Sequence, residues 1–321
     1  LKQFVRDLKV GVAVDSEFLV TEKSLVSFNQ PNRSGEQFLR MTLADISGTV
    51  RAVVWEKGPE VASKFKTGDI VHVRGEVGEY RGLQLVIYSL EAVSNAERRY
   101  FQAVAPRDES DMLAELNNVL GAVADPFLGR LLRAFFEDEE FLSRFAKAPA
   151  ARSVHHNYLG GLLEHSLEVA SFCRHILTLY PNLNASLLYS GALLHDIGKI
   201  DEYDVNSLTF ELTTRGKLLG HISLGKEMID KELAVIDCFP EELGMELSHL
   251  ILSHHGHKEW GSPEVPKTFE AFALFHADLT SARLNQFAKV VSRGSDATGW
   301  TEWDRLLDRS VFLGLVNADT G

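Results

Sequence analysis

A chain of 321 residues that is 45% hydrophobic and 24% charged can bury a substantial core, and its length suggests two domains. The net charge of -12 excludes a generic basic surface for holding nucleic acid. No apolar run approaches the roughly 18 residues of a membrane span, so no membrane contact is expected. The opening LKQFVRDLKVGVAV is broken by charge and has no signal-peptide core. Cys173 and Cys238 stand far apart, as expected of reduced thiols in a cytoplasmic protein.

In chain order, residues 17–93 read as β structure. EFLVTEKSLVSF, FLRMTLADIS, TVRAVVWE, DIVHVRGEVGEY and LQLVIYSLEAV are five β-rich stretches, several alternating apolar and polar residues. EKGPEVASKFKTGD, between the third and fourth, has room for a short helix. Five strands with a helix in that position is the order of an OB-fold barrel. LRMTLADISGTVRAVVW and GDIVHVRGEV resemble the second to fourth strands of nucleic-acid-binding OB domains. Residues 1–93 hold 12 basic and 12 acidic residues, so the negative balance lies beyond them. Phe38, Arg40, Arg51, Trp55, Arg74, Tyr80 and Arg81 are the aromatic and cationic residues available to a strand of nucleic acid. Phe38 and Trp55 fit a barrel core equally well.

Residues 94–110 (SNAERRYFQAVAPRDES) are polar and read as a linker. From 111 the periodicity is helical, with candidate helices at 111–124, 126–137, 139–147, 158–180, 185–197, 217–236, 240–255, 266–285 and 301–308. Residues 111–321 therefore form an all-α domain. The helices at 111–147 and the stretch TEWDRLLDRSVFLG are available to a homo-oligomer interface.

Several ionisable residues fall inside apolar segments of that domain. They are His165 in YLGGLLEHSLEVA, His195-Asp196 in SLLYSGALLHDIGK, His221 in GKLLGHISLG, His254-His255 in MELSHLILSHHG, and Asp278 in FEAFALFHADLTSARL. Burying each costs several kcal/mol unless it is paired or metal-bound. Singly, each is commonly a satisfied core residue; together they point to a metal site. Imidazole with carboxylate suits Mn, Fe, Co, Ni or Zn. By helical rotation His249 faces away from His254 and His255, and His276 faces away from Asp278. His72 alternates outward on its strand. His155 and His156, ahead of the His165 helix, are placed at the pocket mouth, one of them with a substrate role. Lys199 in HDIGK is a candidate to hold a phosphate oxygen or protonate a leaving oxygen. Arg215, Lys217, Lys258 and Arg283 are candidate phosphate contacts, and each fits a solvated surface equally.

The order H…HD…H…HH…D over about 150–285 resembles the HD-domain phosphohydrolase superfamily. That resemblance implies one metal on His165, His195, Asp196 and Asp278. It implies a second on His221, His254 and His255, with Asp196 bridging. One or two divalent ions are expected, and metal-activated water is the natural nucleophile. No GxxxxGK[ST] loop or Ser-His-Asp pattern competes.

The OB-then-HD pairing, with HHNYLGGLLEHSLEV, LLHDIGK, TTRGKLLGHI, SHHGHKEWGSP and FHADLTSAR, resembles the YhaM-type 3′-to-5′ exoribonucleases of bacteria over nearly the whole chain. That resemblance implies Mn-supported removal of nucleoside 5′-monophosphates from the 3′ end of single-stranded RNA, and often DNA. Two alternatives remain. One is an HD enzyme acting on a cyclic dinucleotide or nucleoside triphosphate with a regulatory OB domain. The other is a nucleic-acid-binding module whose HD site is inactive.

Overall fold

The computed structural model describes residues 2–28, 33, 35–80, 82–151, 156–205, 207–292, 294–295 and 298–314, with only the main chain of Arg98. The chain forms two compact units. One is Leu1–Val104 with Asn206–Glu211, and the other is Ala105–Val205 with Leu212–Gly321.

In the first unit β1 (Ala13–Ser27), β2 (Gln37–Asp45), β3 (Gly48–Val54), β4 (Ile70–Glu79) and β5 (Leu83–Val93) close a barrel in the order β1-β2-β3-β5-β4. The short helix α1 (Gly58–Ala62) joins β3 to β4. All pairs are antiparallel except β3 with β5, which run parallel over Arg51–Val53. The pleat sends alternate residues to opposite faces. Leu39, Met41 and Leu43 of β2 and Val50, Ala52 and Val54 of β3 therefore fill the interior with Phe18 and Val71, while Arg40 and Arg51 stay exposed. This is the OB-fold barrel that the strand order predicted. The segment expected as a linker differs: Phe101 and Gln102 are buried, and Phe101 packs with Leu19 and Ile70. Phe101 with Tyr100 and Ala96 around it, and the Tyr100 carbonyl accepting Ile46 N–H at 2.9 Å, join this polar run to the barrel unit.

The second unit is helical: α2 (Glu109–Gly121), α3 (Pro126–Phe136), α4 (Glu139–Lys147), α5 (Gly161–Leu179), α6 (Ala185–Leu194), α7 (Lys199–Glu202), α8 (Thr214–Val235), α9 (Glu241–Ser253) and α10 (Phe269–Ser292). Side-chain oxygens of Asp108, Asp125, Asp138, Asn184 and Thr213 accept the first free amides of α2, α3, α4, α6 and α8, the chemistry a helix start requires. Leu128, Leu132, Phe145, Leu162, Leu167 and Leu188 lie in the core. Helix α5 packs on α6 and α10, and α9 packs on α6 and α8.

Residues 301–308 are not the expected helix. The Asp304 carboxylate accepts Leu306 N–H and Leu307 N–H at 2.9 and 3.0 Å, a turn that competes with helix formation. Isolated bridges pair Trp300 with Phe312 and Asp304 with Arg309. No described helix is long and apolar enough to cross a membrane.

Candidate metal centre

The His195-Asp196 and His254-His255 pairs share one local design. His195 and His254 each occupy the C-cap of a helix, α6 and α9, where carbonyls lose their helical partners. Each imidazole Nδ1 bonds the carbonyl three residues back: His195 to Ala192 at 3.0 Å and His254 to Ile251 at 2.6 Å. Each bond occupies Nδ1 and leaves Nε2 for another partner.

The other imidazoles obey the same rule with different acceptors. His255 Nδ1 faces the Trp260 carbonyl at 3.3 Å. His221 Nδ1 faces Glu202 Oε1 at 3.3 Å, and its backbone N–H donates to the same oxygen at 3.0 Å. His165 Nδ1 lies 3.0 Å from Ser281 Oγ. That hydroxyl donates its single proton to Glu168 at 2.6 Å, so His165 must be the donor of its own bond. In their neutral form all five imidazoles therefore present a bare Nε2. Glu202, Ser281 and Glu168 were not foreseen from sequence. Glu168 is three residues after His165 and Ser281 three after Asp278, a same-face spacing that was available as a signal.

The Nε2 atoms converge on Asp196. Its Oδ2 lies 3.6 Å from His165 and 3.4 Å from His195, and its Oδ1 lies 3.4 Å from His221 and 3.6 Å from His254. Asp278 Oδ1 is 3.1 Å from His165 Nε2. Two clusters result, His165-His195-Asp278 and His221-His254-His255. His221 reaches Asp196 because two backbones nearly touch. A Cβ on Gly198 would lie 2.0 Å from the His221 carbonyl oxygen. Gly220 breaks α8 just before His221 with φ 70°, which glycine adopts readily.

These groups fit divalent cations. His165 and His195 bring Nε2 to Nε2 at 3.2 Å, and His221 and His255 at 3.3 Å. Two lone pairs facing each other need positive charge between them. Ligands at about 2.1 Å from one ion sit about 3 Å apart. Asp196 Oδ1 and His254 Nε2 are buried and have no hydrogen-bond partner, a cost that coordination would remove.

The electrostatics agree. Burial pushes His165 and His254 below the ordinary imidazole range, and burial with neighbouring imidazoles takes His255 to about 3. These rings are thus neutral and ready to coordinate. Burial opposes charge on His195, yet Asp196 raises it. Burial also works against ionised Asp196, but Lys199 and His195 hold it well below the usual carboxylate range.

The other expected site residues are placed as follows. Lys199 is buried with Nζ 2.5 Å from Asp196 Oδ2. His156 is buried, 3.3 Å from Glu168, with its ring 5.3 Å from that of His165. It is not exposed at a pocket mouth, and His155 lies outside the described residues. Arg215 pairs with Asp201 and Glu227 at 3.3 and 2.9 Å. Lys258 pairs with Glu264 at 3.6 Å, and Arg283 donates to Gln286 at 3.4 Å. Lys217 is exposed and makes no ion pair among the described residues. His249 accepts Lys267 N–H at 2.8 Å and takes no part in either cluster.

On the barrel, Phe38 and Trp55 are not core. The pairing of Leu39 with Val54 sets them side by side, with ring centroids 4.7 Å apart. Phe28, which sequence reasoning missed, joins them at 5.1 and 6.1 Å. The Arg33 guanidinium, also unforeseen, stands 3.6 Å from the Phe28 ring. Arg40, Arg51 and Tyr80 are exposed. Arg74 pairs with Asp15 at 3.2 Å, and Arg81 is outside the described residues.

An OB-fold barrel and a helical unit with H…HD…D ligands define an HD-type metal-dependent phosphohydrolase with a nucleic-acid-binding fold. The HD domain family model matches residues 162–283, and the model for the OB-fold nucleic acid binding domain matches 19–93. The chain is 35% identical to the 3′-5′ exoribonuclease YhaM of Shouchella clausii, over 90% of this chain and 89% of that protein. It is 34% identical to the protein of that name from Halalkalibacterium halodurans, over 89% and 88% of the two chains. The Geobacillus protein of that name is 33% identical, over 89% and 87%. The chain belongs to the YhaM exoribonuclease family.

Proposed function

We propose that this chain, by family a metal-dependent 3′-5′ exoribonuclease, trims single-stranded RNA and single-stranded DNA from the 3′ end to nucleoside 5′-monophosphates. The observation that carries the chemistry is Asp196, whose two oxygens face two different histidine clusters. His165, His195, Asp196 and Asp278 would hold one ion. His221, His254 and His255 would hold a second, with Asp196 bridging and Mn the expected metal. Bound divalent cations supply water activation and neutralisation of phosphoryl charge.

The chain's own groups do the rest. Lys199 keeps Asp196 ionised and has further N–H donors for a phosphate oxygen. Exposed Lys217, four residues before His221 on α8, is a candidate to meet a phosphate. On the barrel, Phe38, Trp55 and Phe28 form a stacking surface beside Arg33 and Arg40, suited to bases without regard to sequence.

The test uses the Mn-loaded full chain and labelled strands with free or blocked 3′ ends. The free strand is expected to shorten from its 3′ end, releasing 5′-monophosphates, while the blocked strand persists. The proposal is lost if neither strand shortens while a cyclic dinucleotide or nucleoside triphosphate is hydrolysed.

A further inference from the structure

The helical unit carries the negative charge of the chain, so it offers no generic basic surface to hold a polyanion near its metal centre. A different kind of contact is available. Trp260 holds His255 through its main-chain carbonyl, and the residue is 51% exposed. Its ring lies 4.5 Å from that of His257, and His257 lies 5.6 Å from Phe275. Phe275 lies 4.7 Å from His276, and His276 lies 4.4 Å from Phe272, which is 53% exposed.

Five rings thus touch in sequence, edge to face or tilted, with Phe275 buried at the centre and Trp260, His257, His276 and Phe272 exposed on either side of it. The series begins on the loop that orients one ligand, His255. It crosses α10 at Phe275, one turn from another ligand, Asp278. It continues around the helix, away from the ligand face, to His276 and Phe272. Residues 272, 275 and 276 share one side of α10 because of its 3.6-residue turn. The loop under Trp260 is firm: Trp260 N–H and Ser262 N–H both donate to the His257 carbonyl, at 3.0 and 3.2 Å.

We infer that the exposed rings of Trp260, His257, His276 and Phe272, seated on the buried Phe275, are a set of stacking positions that receives the last bases of a single strand whose 3′ end lies at the metal centre. This deepens the proposed function and rests on it. The occupant is single-stranded nucleic acid because the exposed rings are flat, two of them imidazoles, and start at the metal-ligand loop. Stacking is indifferent to sequence and needs no basic surface. An acidic domain can use it beside its few phosphate contacts, and that part of the affinity is insensitive to salt.

The test compares Phe272→Ala and Trp260→Ala with the full chain. Leu284→Ala, exposed on α10 outside this set, serves as the control. Metal content is measured for each, and Trp260→Phe keeps a ring if the alanine variant misfolds. The expected result is a KM for a short single strand raised about 5- to 10-fold per lost ring. The loss should be several-fold smaller on a nucleotidyl nitrophenyl ester that reaches only the centre, and unchanged between low and high salt. The control is expected to keep the wild-type KM.

Affinity for a 3′-blocked strand, read by fluorescence anisotropy, is expected to fall in parallel. That measurement still judges the stacking positions if the wild type degrades no strand, so failure of the exonuclease proposal is separately visible. Equal strand affinity in wild type, Phe272→Ala and Trp260→Ala overturns the inference. A change in sedimentation in place of a change in strand affinity also overturns it, because the rings would then be a contact between copies of this chain.

Discussion

The two halves of the metal centre are built from the same ring and stabilised differently. His165 and His195 are fully buried and share their half with a second carboxylate, Asp278. In the other half His254 is fully buried, His221 is as exposed as Asp278 and His255 is partly buried, and among the described residues its cluster groups no carboxylate. Behind the first half stands a neutral hydroxyl, Ser281, backed by Glu168. Behind the second stands the Glu202 carboxylate in direct contact with His221. The first half is anionic at its ligands. The second half takes its negative charge from one step further out. The difference teaches that the halves should differ in how tightly they hold an ion and in what each loses when its support is cut.

The largest effect should come from the residue the halves share. Asp196→Ala is expected to lower turnover by about 10³-fold or more and to abolish binding in both halves. Metal analysis of the purified variant that still showed two ions would refute bridging. Next, His255→Ala should reduce the bound ions from two to one while the first half stays loaded, as counted by titration calorimetry with Mn. Loss of both ions would mean the halves are not separable. Smaller again, Glu202→Gln keeps an acceptor for His221 but removes its charge, and Ser281→Ala leaves His165 without one. Each should weaken metal affinity about 10- to 100-fold. Glu202→Gln should affect only the weaker of the two binding events and Ser281→Ala only the tighter.

The smallest effect concerns pH. His165, His254 and His255 are held below the unfolded value of about 6.5. Below that pH the unfolded chain takes up protons that the folded one refuses, so stability falls as pH falls. His195, raised by Asp196, works in the opposite direction. The melting temperature of the chelated chain should therefore drop between about pH 7 and about pH 5. A flat profile would indicate that His195 cancels the other three.

Much of this was legible beforehand, for definite reasons. Strand alternation in Ile70–Arg74 and in the stretch around Leu43 is imposed by the pleat, so it survives in sequence. His165 and Asp278 stood out because charge inside an apolar helix needs an explanation. Glu202 could not be seen in this way. It sits six residues beyond Asp196, across a break between α6 and α7, and only the folded turn brings it under His221. Residues 301–308 have helical apolar spacing, but Asp304 binds its own downstream amides. The partners of Phe38 and Trp55 depend on strand register, which alternation alone does not supply.

Gly198 gives the centre a property that no ligand has. The space for a methyl group at that position is already filled by the main chain of α8, at His221 and Gly225. Any side chain there acts as a wedge that pushes one wall of the pocket outward. It leaves every candidate ligand chemically intact and moves His221 away from Asp196. The geometry of the second cluster is thus adjustable from outside the residues that form it, and a single added carbon atom is expected to separate His221 from Asp196.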